Sequence, residues 1–194
     1  MSKAAKEIIA NCDDQDFISI EQRSKIPFTE AALLEIWRLG PVGPIAATRY
    51  AEKDATVNGA MIPGGTLIFP LLYPMTVDPK KWTNPYKFDP MRHMKDGGER
   101  ETLFTFGTGN STTLSWHKDV QEKLKYVTGR RKCLGESVAR IENVLFFANL
   151  IKHFKISWPT ELSIPSDEEL HFNVMDGLTI GPEYFPVIIE KRNN

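Results

Sequence analysis

From Glu136 onward, apolar residues recur every three or four positions, at Val138, Ile141, Leu145, Ala148, Ile151 and Phe154. That period places them on one face of a helix of about five turns and predicts that this face packs against the core. Upstream, Pro27-Phe28-Thr29-Glu30 opens a second helix running to position 39. Gly40-Pro41 stops it, because proline has no N–H with which to continue the ladder. Residues 3–11 read as a short amphipathic helix, and 11–24 as a polar loop with an acidic cluster at Asp13, Asp14 and Asp16. Short strands are predicted at 48–50, 56–58 and 66–69, punctuated by the turn signals Asn58-Gly59 and Ile62-Pro63-Gly64-Gly65. One or two helical turns fit within 70–78, and Trp82 and Phe88 read as anchors for a loop with little regular structure. Asp96-Gly97-Gly98-Glu99 is linker-like, and the polar tail beyond 157 carries strand-like pieces at 170–174 and 187–190. The pattern predicts a single domain, mainly α with small β hairpins, without an internal repeat.

Composition narrows this little. The chain has 194 residues, 41% hydrophobic and 25% charged, with a net charge of −1. That suits one core of moderate size and argues against a nucleic-acid partner, which normally needs a basic excess. Two distant cysteines make no disulfide framework, so a reducing compartment is the simpler expectation. The longest apolar run, 144–151, is too short to span a bilayer and contains Asn149. Residues 1–10 carry Lys3, Lys6 and Glu7 with no apolar segment of signal-peptide type.

Candidate chemistry lies in Thr128-Gly129-Arg130-Arg131-Lys132-Cys133-Leu134-Gly135-Glu136. Three cations precede the cysteine and a helix follows it, which makes its sulfur a credible anionic ligand or nucleophile. Gly129 and Gly135 allow tight turns and close approach to a flat partner. The plainer reading of a lone cysteine is a small buried hydrophobe. A phosphatase-type loop needs Cys-x5-Arg, and Arg140 falls one residue too far. A structural zinc site needs clustered ligands, whereas Cys12, Cys133, His93, His117, His153 and His171 are scattered. Glu35 and Arg38, three apart, share a helix face; by spacing alone they read as a surface ion pair worth about 0–1 kcal/mol.

The spacing Gly-x-Arg-x-Cys-x-Gly resembles the haem-ligating loop of the cytochrome P-450 monooxygenases, with Phe106-Gly107-Thr108-Gly109 standing upstream as the loop's first half. Glu35-x-x-Arg38 resembles the family's Glu-x-x-Arg helix, and Pro85-x-x-Phe88-x-Pro90-x-Arg92 its Pro-x-x-Phe-x-Pro-x-Arg segment. Ile62-Pro63-x-Gly65-Thr66 resembles the hairpin between them. The resemblance implies the carboxy-terminal part of the P-450 fold. It implies a haem-thiolate monooxygenase that inserts one oxygen atom from O2 into a small organic substrate, drawing electrons from a flavoprotein reductase. The implied cofactor is haem b (iron protoporphyrin IX), with the Cys133 thiolate as axial ligand to the iron. Arg49 and Arg131 match propionate-holding positions, Phe106 the aromatic shielding the thiolate, and Gly135 the glycine after the ligand. Glu35, Arg38 and Arg92 match a structural network that fixes the meander against the cysteine loop. Arg130, Lys132, Lys80 and Lys81 match a face attracting an acidic electron donor. Residues 41–47 and the turn Met175-Asp176-Gly177-Leu178 match substrate-contacting segments. Family members sit in the endoplasmic reticulum membrane; a chain with no anchor or targeting segment is expected in the cytoplasm if expressed as written.

Several departures set the remaining expectations. No (Ala/Gly)-Gly-x-(Asp/Glu)-Thr motif occurs, so no distal oxygen-activating helix is expected and no catalytic residue is assigned. No Trp-x-x-x-Arg occurs either: Trp37, Trp82, Trp116 and Trp158 are followed four residues later by Pro41, Tyr86, Val120 and Leu162. The chain therefore reads as too truncated to turn over alone. The alternatives are a non-catalytic haem- or reductase-binding fragment and a misassembled gene product. Residues 110–129 interrupt the cysteine loop, and removing those 20 residues joins Phe106-Gly107-Thr108-Gly109 to Arg130-Arg131-Lys132-Cys133. Thr108-Gly109 recurs as Thr128-Gly129 at the joint, which reads as a retained intron, with a genuine surface insertion as the alternative. As translated, the interruption is expected to displace Phe106, leaving Tyr126 seven residues before Cys133, and to project from the core over 110–125.

Overall fold

The structure is a computed structural model that describes residues 2–12, 16–94, 105–106, 133–167, 169, 174–175, 179 and 181–192. Its centre is a three-helix core. Helix α1 (Lys3–Cys12) buries Ala4, Ala5, Ile8 and Cys12, a stripe at helical spacing. Helix α2 (Pro27–Leu39) contributes Leu33, and α4 (Glu136–His153) contributes Val144 and Ala148, with Phe147 and Ile151 packed beside them. Ile18 and Ile26, on either side of a 3-10 turn (Ile20–Lys25), close the cluster. The polar loop expected over 11–24 thus contains a short helical element.

Local chemistry explains how these helices start and stop. Pro27 sits in the first turn of α2, and Ile26 before it has no side chain able to cap. Glu7 of α1 does so from a distance: its carboxylate accepts the Phe28 and Thr29 N–H groups, each at 2.8 Å, and the Thr29 hydroxyl at 2.7 Å. This satisfies orphan donors and places negative charge at the positive end of α2. At the other end Gly40 N–H donates to the Ile36 carbonyl at 2.8 Å before Pro41 turns the chain away. Asn149 of α4 clamps the opposite strand of chain, accepting from Ile18 N–H at 2.8 Å and donating to the Ile18 carbonyl at 3.2 Å. Lys152, fully buried, donates to the Cys12 carbonyl at 2.7 Å.

The expected apolar face of α4 needs correction. Val138 and Ile141 are exposed, whereas the stripe turned to the core is Val144 and Ala148, buried, with Phe147 and Ile151 partly buried beside them. The helix is apolar on more than one side, so periodicity alone did not select the face turned to the core. Phe154 is not helical: at φ −127°, ψ 144° it begins β5 (Phe154–Ser157). That strand, which the pattern did not predict, pairs antiparallel with β8 (Ile188–Lys191) in the register Phe154 to Lys191.

The remaining sheets are two-stranded and antiparallel. β1 (Arg49–Tyr50) pairs with β4 (Leu67–Ile68), and β2 (Ala55–Val57) with β3 (Ala60–Ile62). Asn58 and Gly59, both at positive φ (48° and 82°), form the primed two-residue turn that suits right-handed strand twist. A short helix α3 (Tyr73–Thr76) and a second 3-10 turn (Pro90–His93) follow. β6 (Val174–Met175) pairs with β7 (Gly181–Pro182). Residues 96–99, most of the predicted strand at 170–174, residues 176–178 of the predicted turn, and the whole interruption 110–129 lie outside the described residues.

Candidate functional site

Two clusters lie on either side of α2. The first is built on Glu35, which is fully buried. Arg38 holds it bidentately, with Nε donating to Oε2 and Nη2 to Oε1, both at 2.8 Å. Arg92 Nε and the Asp89 N–H each donate to Oε1 at 3.0 Å, and His93 Nε2 lies 2.8 Å from Oε2. The guanidinium of Arg38 spends its other N–H groups on the carbonyls of Thr76 (2.8 Å) and Pro85 (2.6 Å). Arg92 likewise reaches the Thr83 and Lys87 carbonyls at 3.1 and 3.2 Å. Trp82, buried beneath Arg38 at 4.9 Å, donates its ring N–H to the Met75 carbonyl at 3.1 Å. A segment with almost no regular structure is thereby tied to one carboxylate.

Burial pushes the Glu35 carboxyl up, but hydrogen bonds from Arg38, His93 and the Asp89 N–H outweigh it and hold its pKa down at about 2. The surface-pair reading of Glu35 and Arg38 therefore gives way: both are buried, and their further partners come from 38 to 58 residues downstream. His93, by spacing one of several scattered histidines, joins the network; its adjacency to Arg92 on a 3-10 turn is the signal for it in the sequence. Phe88, expected as an anchor, is 45% exposed, so Trp82 anchors this segment alone of the two.

The second cluster surrounds Cys133, which is exposed just ahead of α4. Its N–H donates to the Phe106 carbonyl at 3.0 Å, and its own carbonyl accepts from Glu136 N–H at 3.4 Å. Phe106 is therefore not displaced. The 26 residues between them leave and return at adjacent points, since closing a longer loop adds little entropy cost. Phe106 packs edge-to-face on Trp37 of α2, with centroids 5.4 Å apart at 85°. The Arg140 guanidinium lies over both rings, 5.0 Å from Phe106 and 5.1 Å from Trp37, and Nε donates to Glu136 at 2.9 Å. The Glu136–Arg140 pair at i, i+4 was readable from spacing; the aromatic partners were not.

Gly135 begins α4 at φ −83°, a conformation open to any residue, so left-handed freedom is not what glycine supplies here. Nor does crowding demand it: a Cβ at this position would stand 3.8 Å from the Cys133 sulfur, an ordinary van der Waals contact. A concavity of about 350 Å³ opens here, lined by Cys133, Leu134, Glu136, Ser137 and Arg140. Leu134, Val138 and Ile141 are exposed on the adjoining turns. Among the described residues no three His, Cys, Asp or Glu side chains converge, so a metal held by Cys133 needs its remaining ligands from outside the side chains described. Arg49 lies in β1 opposite Ile68, and no hydrogen bond or ion pair among the described residues joins it to Cys133. Arg130, Arg131 and Lys132 lie outside the described residues, while Lys80 and Lys81 are exposed.

Known proteins resemble the chain in sequence and in fold. The Cytochrome P450 family profile matches residues 1–182. Cytochrome P450 2K6 of Danio rerio is 30% identical over 177 residues, covering 90% of this chain and 30% of that protein. Cytochrome P450 18a1 of Drosophila melanogaster is 33% identical, over 90% of this chain and 28% of its own length. A zebrafish cytochrome P450 structure with abiraterone superposes with a TM-score of 0.77 at 26% identity, covering 99% of this chain and 39% of that one. Another zebrafish structure, with progesterone, gives 0.74. The chain thus spans about 30% of the length of these two relatives. Matched along nearly its whole length in sequence and in fold, the chain belongs to the cytochrome P450 family.

Proposed function

We propose that the chain is the haem-binding carboxy-terminal part of a haem-thiolate monooxygenase, with Cys133 as the axial ligand to iron. The observation that carries this is the exposed Cys133 at the start of α4, beside an open surface depression lined by Leu134, Glu136, Ser137 and Arg140. A macrocycle fits this donor set. It brings its own four nitrogens, requires one thiolate, and covers apolar surface of the kind that Leu134, Val138 and Ile141 expose. Family membership implies haem; haem b is the form we assign. Bound there, it supplies activation of O2 and transfer of one oxygen atom to a small organic substrate, with electrons from a flavoprotein reductase.

The chain's own residues have supporting parts. Phe106 and Cys133 close the ligand loop through their backbone hydrogen bond. Arg49 and Arg131 are assigned to the propionates, and Lys80, Lys81, Arg130 and Lys132 to attraction of an acidic donor surface. Glu35, Arg38 and Arg92 hold the segment behind the loop and take no part in chemistry. Residues 41–47 and 175–178 are assigned to substrate contact. Among the described residues no helix is long and apolar enough to cross a membrane; residence at the endoplasmic reticulum membrane is proposed for the whole protein from its family. Residues 110–129 are an interruption within a single partial domain, translated from a retained intron or carried as a surface insertion. Amplifying the transcript across codons 105–135 separates these origins.

The test of ligation is spectroscopic. The chain is reconstituted with haemin, reduced and exposed to carbon monoxide. The expected result is the red-shifted Soret band of a thiolate ligand, abolished in Cys133→Ser and kept in Cys12→Ser, since Cys12 is buried in the helical core. A parent chain without the band, or a Cys133→Ser chain that retains it, overturns the assignment.

A further inference from the structure

We propose that Arg140 is a positioning residue for Cys133, acting through Phe106 and Trp37; its relevance to haem ligation rests on the reading above. Cys133 has few restraints of its own. Its side chain is exposed, and its N–H is fixed by the Phe106 carbonyl at 3.0 Å. The position of the Cys133 backbone, and with it the point from which the thiol projects, therefore depends on what holds Phe106, and that lies on other elements. Trp37 of α2 meets the Phe106 ring edge-on, Thr105 Oγ1 reaches the Trp37 carbonyl at 3.5 Å, and the Arg140 guanidinium covers both rings.

Arg140 is the side chain that touches all three segments. It is rooted in α4, paired to Glu136 on the turn below, and laid against Trp37 of α2 and against Phe106, ahead of the interruption. A planar cation over two rings is attracted by both π faces, and its fork still satisfies a carboxylate. Trp37 is the immediate neighbour of Arg38, so the same short stretch of α2 carries the buried carboxylate network on one side and this cluster on the other. The Cys133 loop is thus referenced to a rigid helix through one guanidinium, independently of how long the intervening chain is.

Thiol labelling of the 194-residue chain tests this without haem. Cys133 is exposed and Cys12 is fully buried, so iodoacetamide labelling read by peptide mass spectrometry reports the loop and the core separately. Arg140→Gln and Trp37→Ala should each change the Cys133 labelling rate by about threefold or more, the scale of losing one or two partly exposed cation–π contacts, with Cys12 still protected. The double variant should fall short of the sum of the two singles, because the Arg140–Trp37 contact is lost in both. Arg140→Lys keeps the charge beside Glu136 but not the planar fork, and should fall nearer Arg140→Gln than the parent. In the haemin-reconstituted parent the red-shifted carbonyl band should shrink on Arg140→Gln. An unchanged Cys133 rate in Arg140→Gln, strictly additive effects with Trp37→Ala, or parallel exposure of Cys12 in parent or variants would overturn the proposal. A parent lacking the band while the labelling behaves as stated defeats the haem reading and leaves the Arg140 role standing.

Discussion

Glu35 shows what a single residue carries in this fold. Its carboxylate receives two guanidiniums, an imidazole and a backbone N–H, and removing it leaves Arg38 charged and buried with nothing opposite. Glu35→Ala should cost roughly 3–5 kcal/mol in urea unfolding, the range for stranding one member of a buried pair. Acid should reach the same residue. Its folded pKa of about 2 lies below the ordinary 4.5, so its contribution is complete above 4.5 and is lost as pH falls through about 2. The loss amounts to about 3 kcal/mol across that window, and Glu35→Gln should lack this component of the acid slope. A Glu35→Gln chain with the parent's slope between pH 4.5 and 2 would remove Glu35 as its source. The i, i+3 spacing made the Glu35–Arg38 pair legible, but not its burial, because burial depends on chain arriving from residues 76–93. Glu7 was illegible for the same reason: its partners, Phe28 and Thr29, lie more than twenty residues away.

Among the elements, α4 teaches the limit of periodicity. Its existence and start followed from the sequence pattern, and so did the α2 boundaries, where proline and glycine act locally. Its orientation did not, since two overlapping apolar stripes share Ala148 and Ile151 and only the packing of α1 and α2 chooses between them. The choice can be measured. Val144→Ala, at a site 3% exposed, should destabilise the chain by about 1–3 kcal/mol, whereas Val138→Ser, at a site 56% exposed, should change stability by less than about 0.5 kcal/mol. A larger loss for Val138→Ser than for Val144→Ala in thermal unfolding would mean that the stripe predicted from spacing is the one in the core. The β2–β3 hairpin was readable because Asn58-Gly59 encodes its turn directly; β5 was missed because its partner β8 is some thirty residues distant.

At the scale of the molecule, the family was legible because its motifs are short and ordered along the chain, each within one element or turn. The path between Phe106 and Cys133 was not, because a linear reading assigns 26 residues to a gap that one hydrogen bond closes. Deleting 110–129 shortens the loop from 26 residues to six and should therefore stabilise the three-helix core by about 1 kcal/mol in urea unfolding, at about 0.6 kcal/mol for each halving of loop length. A loss of stability instead would show that the core leans on those residues. That closure also has a genetic meaning. Where a chain departs and returns at one spot, whole codons can be gained or lost without selection sensing it through the core. Transcripts that differ in length there would yield proteins sharing one interior, and a tag or reporter domain threaded into the same seam would inherit that indifference.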